Sequence, residues 1–295
     1  MRLHVGFLAS LAFLGCAPSG AEPSVDTSGP SEEALTSCSQ PAPSPNPAQL
    51  VNYCSALPGV NGNGIVQCLR GAALSPSPAV LVNYCKGLSG SSVNGVLTCI
   101  ENGGPSPKPD ELINYCSALP GVNANGVLDC IKGGAASTKP AVLVNYCKDL
   151  PGLNANGILT CIANGAPSPK ADELINYCKA LPGVNANGVL DCIKGGAVST
   201  KPAVLINYCK GLPGVNANGV LTCIANGAPS PKADELINYC KALPGVNANG
   251  VLDCIKSAAA SPTPAIVINM CTGIASLNSE GQLACIAAVT NTPRP

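Results

Sequence analysis

Aromatic side chains are nearly missing from this 295-residue chain, at 3% of the total, with no Trp and only two Phe. Both Phe, Phe7 and Phe13, fall within the first fifteen residues, so the rest of the chain has none. A single large core normally draws its bulk from aromatic rings, and a core of that kind is excluded. Charge is scarce as well: 11% of residues are charged and the net charge is zero. That balance argues against a nucleic-acid groove or a polybasic membrane surface. The only His is His4, which leaves no imidazole in the body of the chain for a Ser-His-Asp set or a zinc site. No phosphate-binding glycine loop is found either. Adjacent carboxylates such as Asp172 and Glu173 sit in a helix's first turn, where they complement the dipole. The chain reads as non-enzymatic, with no cofactor, metal or nucleic-acid partner expected.

What the chain has in quantity is Gly (32 residues), Pro (28) and Cys (18). Frequent Gly and Pro predict many short elements with regular breaks. Eighteen thiols are too many for a reducing cytosol unless they bind metal, so the N-terminus bears directly on their state. Met1-Arg2-Leu3-His4 is a short basic stretch, and residues 5–15 form an apolar run too short to span a bilayer. The run ends in Leu14-Gly15-Cys16 and continues as Ala17-Pro18-Ser19-Gly20.

These sixteen residues resemble the signal of bacterial lipoproteins, departing from its usual pattern at Phe13, where Leu is commonest. The resemblance implies lipidation of Cys16, which would become the mature N-terminus. Ala17 after it resembles the outer-membrane-directed type. The alternative is an ordinary secretory signal cleaved near Ala21, with Cys16 discarded. Both readings take the chain out of the cytoplasm, where disulfides are the default state of its thiols.

Beyond a Pro/Ser-rich tether the cysteines are strictly periodic. Cys54, Cys85, Cys116, Cys147, Cys178, Cys209, Cys240 and Cys271 recur every 31 residues. Cys68, Cys99, Cys130, Cys161, Cys192, Cys223, Cys254 and Cys285 follow them by 14. Such a fixed period marks a repeat array. A 62-residue superperiod overlies it, since residues 171–194 and 233–256 are the same string. The expected organisation is a signal over 1–15, a flexible tether over 16–30, an N-terminal capping half-repeat and linker over 31–46, and eight repeats over 47–294. Cys38 ends the half-repeat, with a capping Ser31 seven residues before it. At the far end Met270 replaces the Tyr of the other copies, as expected of an atypical terminal repeat.

Each repeat reads as two short helices. Ser44, Ser75, Ser106, Ser137, Ser168, Ser199, Ser230 and Ser261 stand ten residues before the first Cys, followed by Pro or Thr. Ser then Pro predicts an N-cap and first helical position. Leu174, Ile175, Cys178 and Leu181 then form one apolar stripe, which Pro182-Gly183 stops. Asn185, seven residues before Cys192, predicts the second N-cap, and Ser92 and Asn278 keep that chemistry in their copies. Gly195-Gly196 reads as that helix's stop, and Asp191 to Lys194 as an ion pair on its surface.

A hairpin this small cannot bury enough apolar surface to stand alone, so stacking and cross-links must support it. A disulfide closing about 14 residues adds roughly 3 kcal/mol. Pairing within repeats (Cys54–Cys68 and its equivalents) needs an offset of only about 5 Å along the helices, against about 9 Å for pairing between repeats. The first scheme is favoured and leaves Cys38 unpaired or intermolecular; the second stays open, and would orphan Cys285 instead. Zinc sites want close Cys pairs or His, and neither spacing supplies them.

Asn52, Asn83, Asn114, Asn145, Asn176, Asn207, Asn238 and Asn269 precede each first Cys by two residues and lie off the apolar stripe. The simpler expectation is a ladder of amides hydrogen-bonded between stacked repeats. The functional one is an exposed row that, with the Tyr beside it, binds a partner. The fold class expected is all-α, an α-solenoid of short helical hairpin repeats stapled by disulfides, similar to tetratricopeptide and Sel1-type arrays in architecture only. The function expected is that of an exported cell-surface spacer, adhesive or coat component. The alternative is a scaffold whose solenoid face recognises a protein or polysaccharide, held at the membrane by a lipid anchor.

Overall fold

A computed structural model of the chain describes residues 47–291. Cys16, Cys38, Ser44, the signal, the tether and the capping half-repeat lie outside the described residues. Within them the chain is all-α, a solenoid-like series of eight helical hairpins. The first helices of the hairpins are α1 (Pro47–Ser55), α3 (Pro78–Lys86), α5 (Pro109–Ser117), α7 (Pro140–Lys148), α9 (Ala171–Lys179), α11 (Pro202–Lys210), α13 (Ala233–Lys241) and α15 (Pro264–Thr272). The second helices are α2 (Gly62–Ala72), α4 (Val93–Gly103), α6 (Ala124–Gly134), α8 (Ala155–Gly165), α10 (Ala186–Gly196), α12 (Ala217–Gly227), α14 (Ala248–Ala258) and α16 (Ser279–Asn291). Each first helix packs on the first helices of its neighbours, and each second helix on second helices, so the array has two layers.

The core lies between the layers and is aliphatic. Leu174, Ile175, Cys178 and Leu181 are all buried, as the stripe predicts, and Ile193 is buried opposite them. The largest fully buried side chains are Leu and Ile throughout. Eight disulfides run through this core, and all of them are the within-repeat pairs: Cys54–Cys68, Cys85–Cys99, Cys116–Cys130, Cys147–Cys161, Cys178–Cys192, Cys209–Cys223, Cys240–Cys254 and Cys271–Cys285. Their Cα atoms are 5.6–5.7 Å apart, the spacing a disulfide requires. The small axial offset between the two Cys of a hairpin decides the pairing. Sixteen cysteines so engaged are those of a protein from an oxidising, extracytoplasmic setting.

The second-helix N-caps fall where Asn and Ser predict them. Asn185 Oδ1 accepts the backbone N–H of Gly188 at 2.9 Å, and Ser92 Oγ accepts that of Gly95 at 3.2 Å. The first-helix caps do not. α3 starts at Pro78, three residues after Ser75, and the other first helices are offset in the same way. The physical reason is visible in copies with a second proline: Ser77 precedes Pro78, and a residue before proline is pushed out of the helical region. Ser75 instead turns the chain between hairpins. Its N–H donates to Ala72 O at 3.1 Å and its Oγ accepts the N–H of Ser77 at 3.1 Å. Ser106, Ser137, Ser168, Ser199, Ser230 and Ser261 do the same and are buried, so each hydroxyl bonds backbone rather than water.

The glycines need a second correction. Gly195 and Gly196 are inside α10, and Ala197 after them is still right-handed, so they do not stop the helix. They make room for neighbours: a Cβ on Gly196 would lie 2.6 Å from Leu174 Cδ1, and one on Gly195 would lie 3.1 Å from Ala225 Cβ. The left-handed glycine is Gly183 (φ +71°), which reverses the chain between α9 and α10, and Gly59, Gly90, Gly121, Gly152, Gly214 and Gly245 repeat it.

Candidate functional site

With the interior sealed by disulfides and aliphatic packing, chemistry must lie on the surface. All seven Tyr of the chain stand at one repeat position: Tyr53, Tyr84, Tyr115, Tyr146, Tyr177, Tyr208 and Tyr239. Tyr146 is half-buried and the other six are 36–37% exposed. A protein short of aromatic residues thus keeps none of them in its core and holds them all on the face of its first helices.

The asparagine row shares that face. Asn52, Asn83, Asn114, Asn176, Asn207, Asn238 and Asn269 are exposed and Asn145 is half-buried. Their backbone carbonyls accept the closing N–H groups of the first helices, as Asn176 O does from Ala180 at 3.2 Å. Their side-chain amides make no hydrogen bond among the described residues. The expected ladder therefore does not form. Stacked helices stand roughly 8–10 Å apart, and short amides directed to solvent cannot bridge that distance.

Instead the row lines grooves between successive first helices. One, of about 350 Å³, is bounded by Asn83, Tyr84, Gly87, Leu88, Ile113, Asn114 and Ser117. Another, of about 160 Å³, is bounded by Asn145, Tyr146, Asp149, Ile175, Asn176 and Lys179. The two are built from the same repeat positions. Each offers a phenol and an amide from one copy, a second amide from the next, and the side chain just after that copy's first Cys. That last position is Lys in five copies, as Lys86, Lys148, Lys179, Lys210 and Lys241, all exposed. Lys179 Nζ lies 3.5 Å from Asp149 O of the preceding repeat, and Lys241 Nζ lies 3.4 Å from Gly211 O. Both ammonium groups are thereby held across the joint between copies. Sequence reading missed this lysine row, although its 31-residue spacing was there to be found.

Ion pairs among the described residues involve other lysines. Lys108–Glu111 (2.8 Å), Lys170–Glu173 (3.2 Å) and Lys232–Glu235 (3.4 Å) staple the first turns of α5, α9 and α13. The Glu111 carboxylate, bonded to Lys108 Nζ, raises that ammonium's pKa above its ordinary value. Asp191 and Lys194 are not paired, which corrects the expectation for α10. Glu173 is thus an ordinary first-turn carboxylate with a lysine partner. The described residues contain no group of three or more His, Cys, Asp or Glu placed to hold a metal ion, and no helix long and apolar enough to cross a membrane. No protein-family model, curated protein or solved structure matches this chain.

Proposed function

We propose that this is an exported, non-enzymatic cell-surface protein in which the repeat array acts as a rigid structural or adhesive spacer, tethered through a lipid on Cys16. One observation carries the reading: every described hairpin holds its own disulfide against an aliphatic core, and of the paired cysteines all but Cys285 are fully buried. Such units fold and stack by nearest-neighbour contacts, so length is added copy by copy, and the duplicated strings at 171–194 and 233–256 record that growth. A lipid at Cys16 followed by the Pro/Ser-rich stretch would hold the array at the outer membrane and away from it.

The test is deletion of residues 171–232, two whole copies. Surface function retained with shorter reach supports the spacer. Abolished adhesion at unchanged surface abundance refutes it. A second reading, a scaffold that recognises a protein or polysaccharide, is favoured by the Asn and Tyr row, whose amides make no hydrogen bond within the described residues. Peptide mapping without reduction, with the mass of the mature N-terminus, tests lipidation of Cys16 and the state of Cys38.

A further inference from the structure

We infer that the grooves between successive first helices bind a linear anionic polysaccharide, one that carries carboxylate groups along its length. The inference rests on the cell-surface reading above and names the ligand of that surface.

The first argument is the chemistry of the face. Tyr rings present flat apolar surface, amides offer both donors and acceptors, and an ammonium supplies charge. Sugar rings ask for all three: an apolar face to stack, hydroxyls to hydrogen-bond, and here carboxylates to neutralise. Asn145, Tyr146, Asn176 and Lys179 bring them together at a single joint. Six of the seven tyrosines are 36–37% exposed, so part of each ring is open to a ligand.

Charge decides the class of sugar. In copies four to seven Lys148, Lys179, Lys210 and Lys241 follow one another at this position, and all are exposed. Asp149 is the single carboxylate among the residues bounding the two grooves. At the two positions after the first Cys, copies four to seven carry four Lys and one carboxylate, Asp149, so this row is positive, while the groove at Asn83 and Tyr84 is bounded by no charged side chain. A neutral glucan would make no use of that row; a polyuronate would.

Periodicity decides between polymer and protein. Neighbouring first helices stand roughly 8–10 Å apart, close to the length of a disaccharide unit. A polymer that repeats its own chemistry can engage successive grooves in register, whereas a folded protein seldom presents one group at equal steps. Weak single contacts then add through linkage.

The experiment uses the oxidised full-length array and two forms of one polymer: polygalacturonate and the same chain fully methyl-esterified, which has lost its charge. Two variants are compared with it. One carries Tyr146→Ala, Tyr177→Ala and Tyr208→Ala; the other carries Lys148→Gln, Lys179→Gln, Lys210→Gln and Lys241→Gln. Circular dichroism and non-reducing mass spectrometry check that helices and disulfides are retained. Expected are binding to polygalacturonate that weakens as salt rises, little binding to the ester, and a loss of roughly tenfold or more in each variant. No binding to polygalacturonate overturns the inference. So does equal binding to the ester, unchanged binding by both variants, or saturable binding only to cells stripped of polysaccharide, which would mean a protein ligand. Protease shaving of intact cells separates this from the cell-surface reading: a surface-exposed array that ignores polygalacturonate refutes the ligand alone, and an internal one refutes the location alone.

Discussion

Gly71 in α2 faces the backbone of Glu101 in α4 so closely that a Cβ on Gly71 would lie 2.7 Å from Glu101 Cα. Backbone cannot rotate aside as a side chain can. Helix propensity favours Ala over Gly by about 1 kcal/mol, while forcing an extra methyl into a packed joint costs about 1–3 kcal/mol. Gly71→Ala should therefore lower the unfolding midpoint. Gly62→Ala is the control, since a Cβ there meets nothing within 4 Å, and it should be neutral or slightly stabilising. A thermal or urea midpoint for Gly71→Ala at or above the parent's would contradict the packing argument.

The two side-chain devices that flank α10, the Asn185 cap before it and the Ser199 turn after it, can be separated. Asn185→Ala removes the acceptor for Gly188 N–H and should cost about 1 kcal/mol, within a range of about 0.5–2. Asn185→Ser should restore most of it, as Ser92 does in its own copy. Ser199→Ala strips a buried hydroxyl that accepts the part-buried Lys201 N–H at 3.2 Å, a hydrogen bond worth about 0.5–1.5 kcal/mol. Because repeats couple mainly to their neighbours, hydrogen exchange should rise around the altered joint and stay flat in copies one and two. Uniform acceleration along the array would refute local coupling.

Much of this architecture was legible in the chain because its signals are local. The 31-residue period, the Leu174, Ile175 and Cys178 stripe, and the Asn185 cap each depend on residues within one or two turns, and the 14-residue Cys pairing follows from helix rise. The failures are instructive in the same terms. Ser75 followed by Pro76 is compatible with a cap or with a buried turn, and only the constraint that Pro78 places on Ser77 separates them. Gly195 and Gly196 read as a stop, but their neighbours Ala225 and Leu174 lie 30 and 22 residues away in sequence. The grooves depend on stacking register, which no local pattern states. The amide ladder failed for a metric reason: the period places the Asn in a row without saying how far apart the rows stand.

Reduction should begin at the last repeat. Fifteen of the paired cysteines are fully buried, while Cys285 is half-buried in α16. Thiolate attack needs access to sulfur, so a mild reductant should open Cys271–Cys285 first. Pulse alkylation with peptide mapping reads the order directly. Replacing Cys178 and Cys192 by Ala should lower stability by about 2–4 kcal/mol, the usual worth of such a cross-link, with the loss centred on copies four to six. Early labelling of Cys147–Cys161, in the middle of the array, would show that burial does not govern the order.

Copy number offers the strictest test of the 62-residue unit. Gly71, Gly133 and Gly195 follow the second Cys by three residues in the first, third and fifth copies, whereas the second, fourth and sixth carry Asn102, Asn164 and Asn226 there. Each glycine packs against the next copy's second helix, Gly133 on Ala163 and Gly195 on Ala225, where a Cβ would stand 3.2 Å from the Ala Cα. The joints therefore alternate. Removing residues 171–232 joins Lys170 to Ala233, which repeats the native Lys170-Ala171 junction and preserves the alternation. Such a chain should fold, lose only Cys178–Cys192 and Cys209–Cys223, and keep its midpoint within a few degrees. Removing residues 171–201 instead would set Asn164 of one copy against the helix that should follow a glycine. An Asn side chain at a joint shaped for Gly costs about 1–3 kcal/mol by overpacking, and the new joint should show the fastest hydrogen exchange in the array. Equal stability of the two deletions would mean that the copies are interchangeable singly, and that the superperiod records duplication history without any constraint from packing.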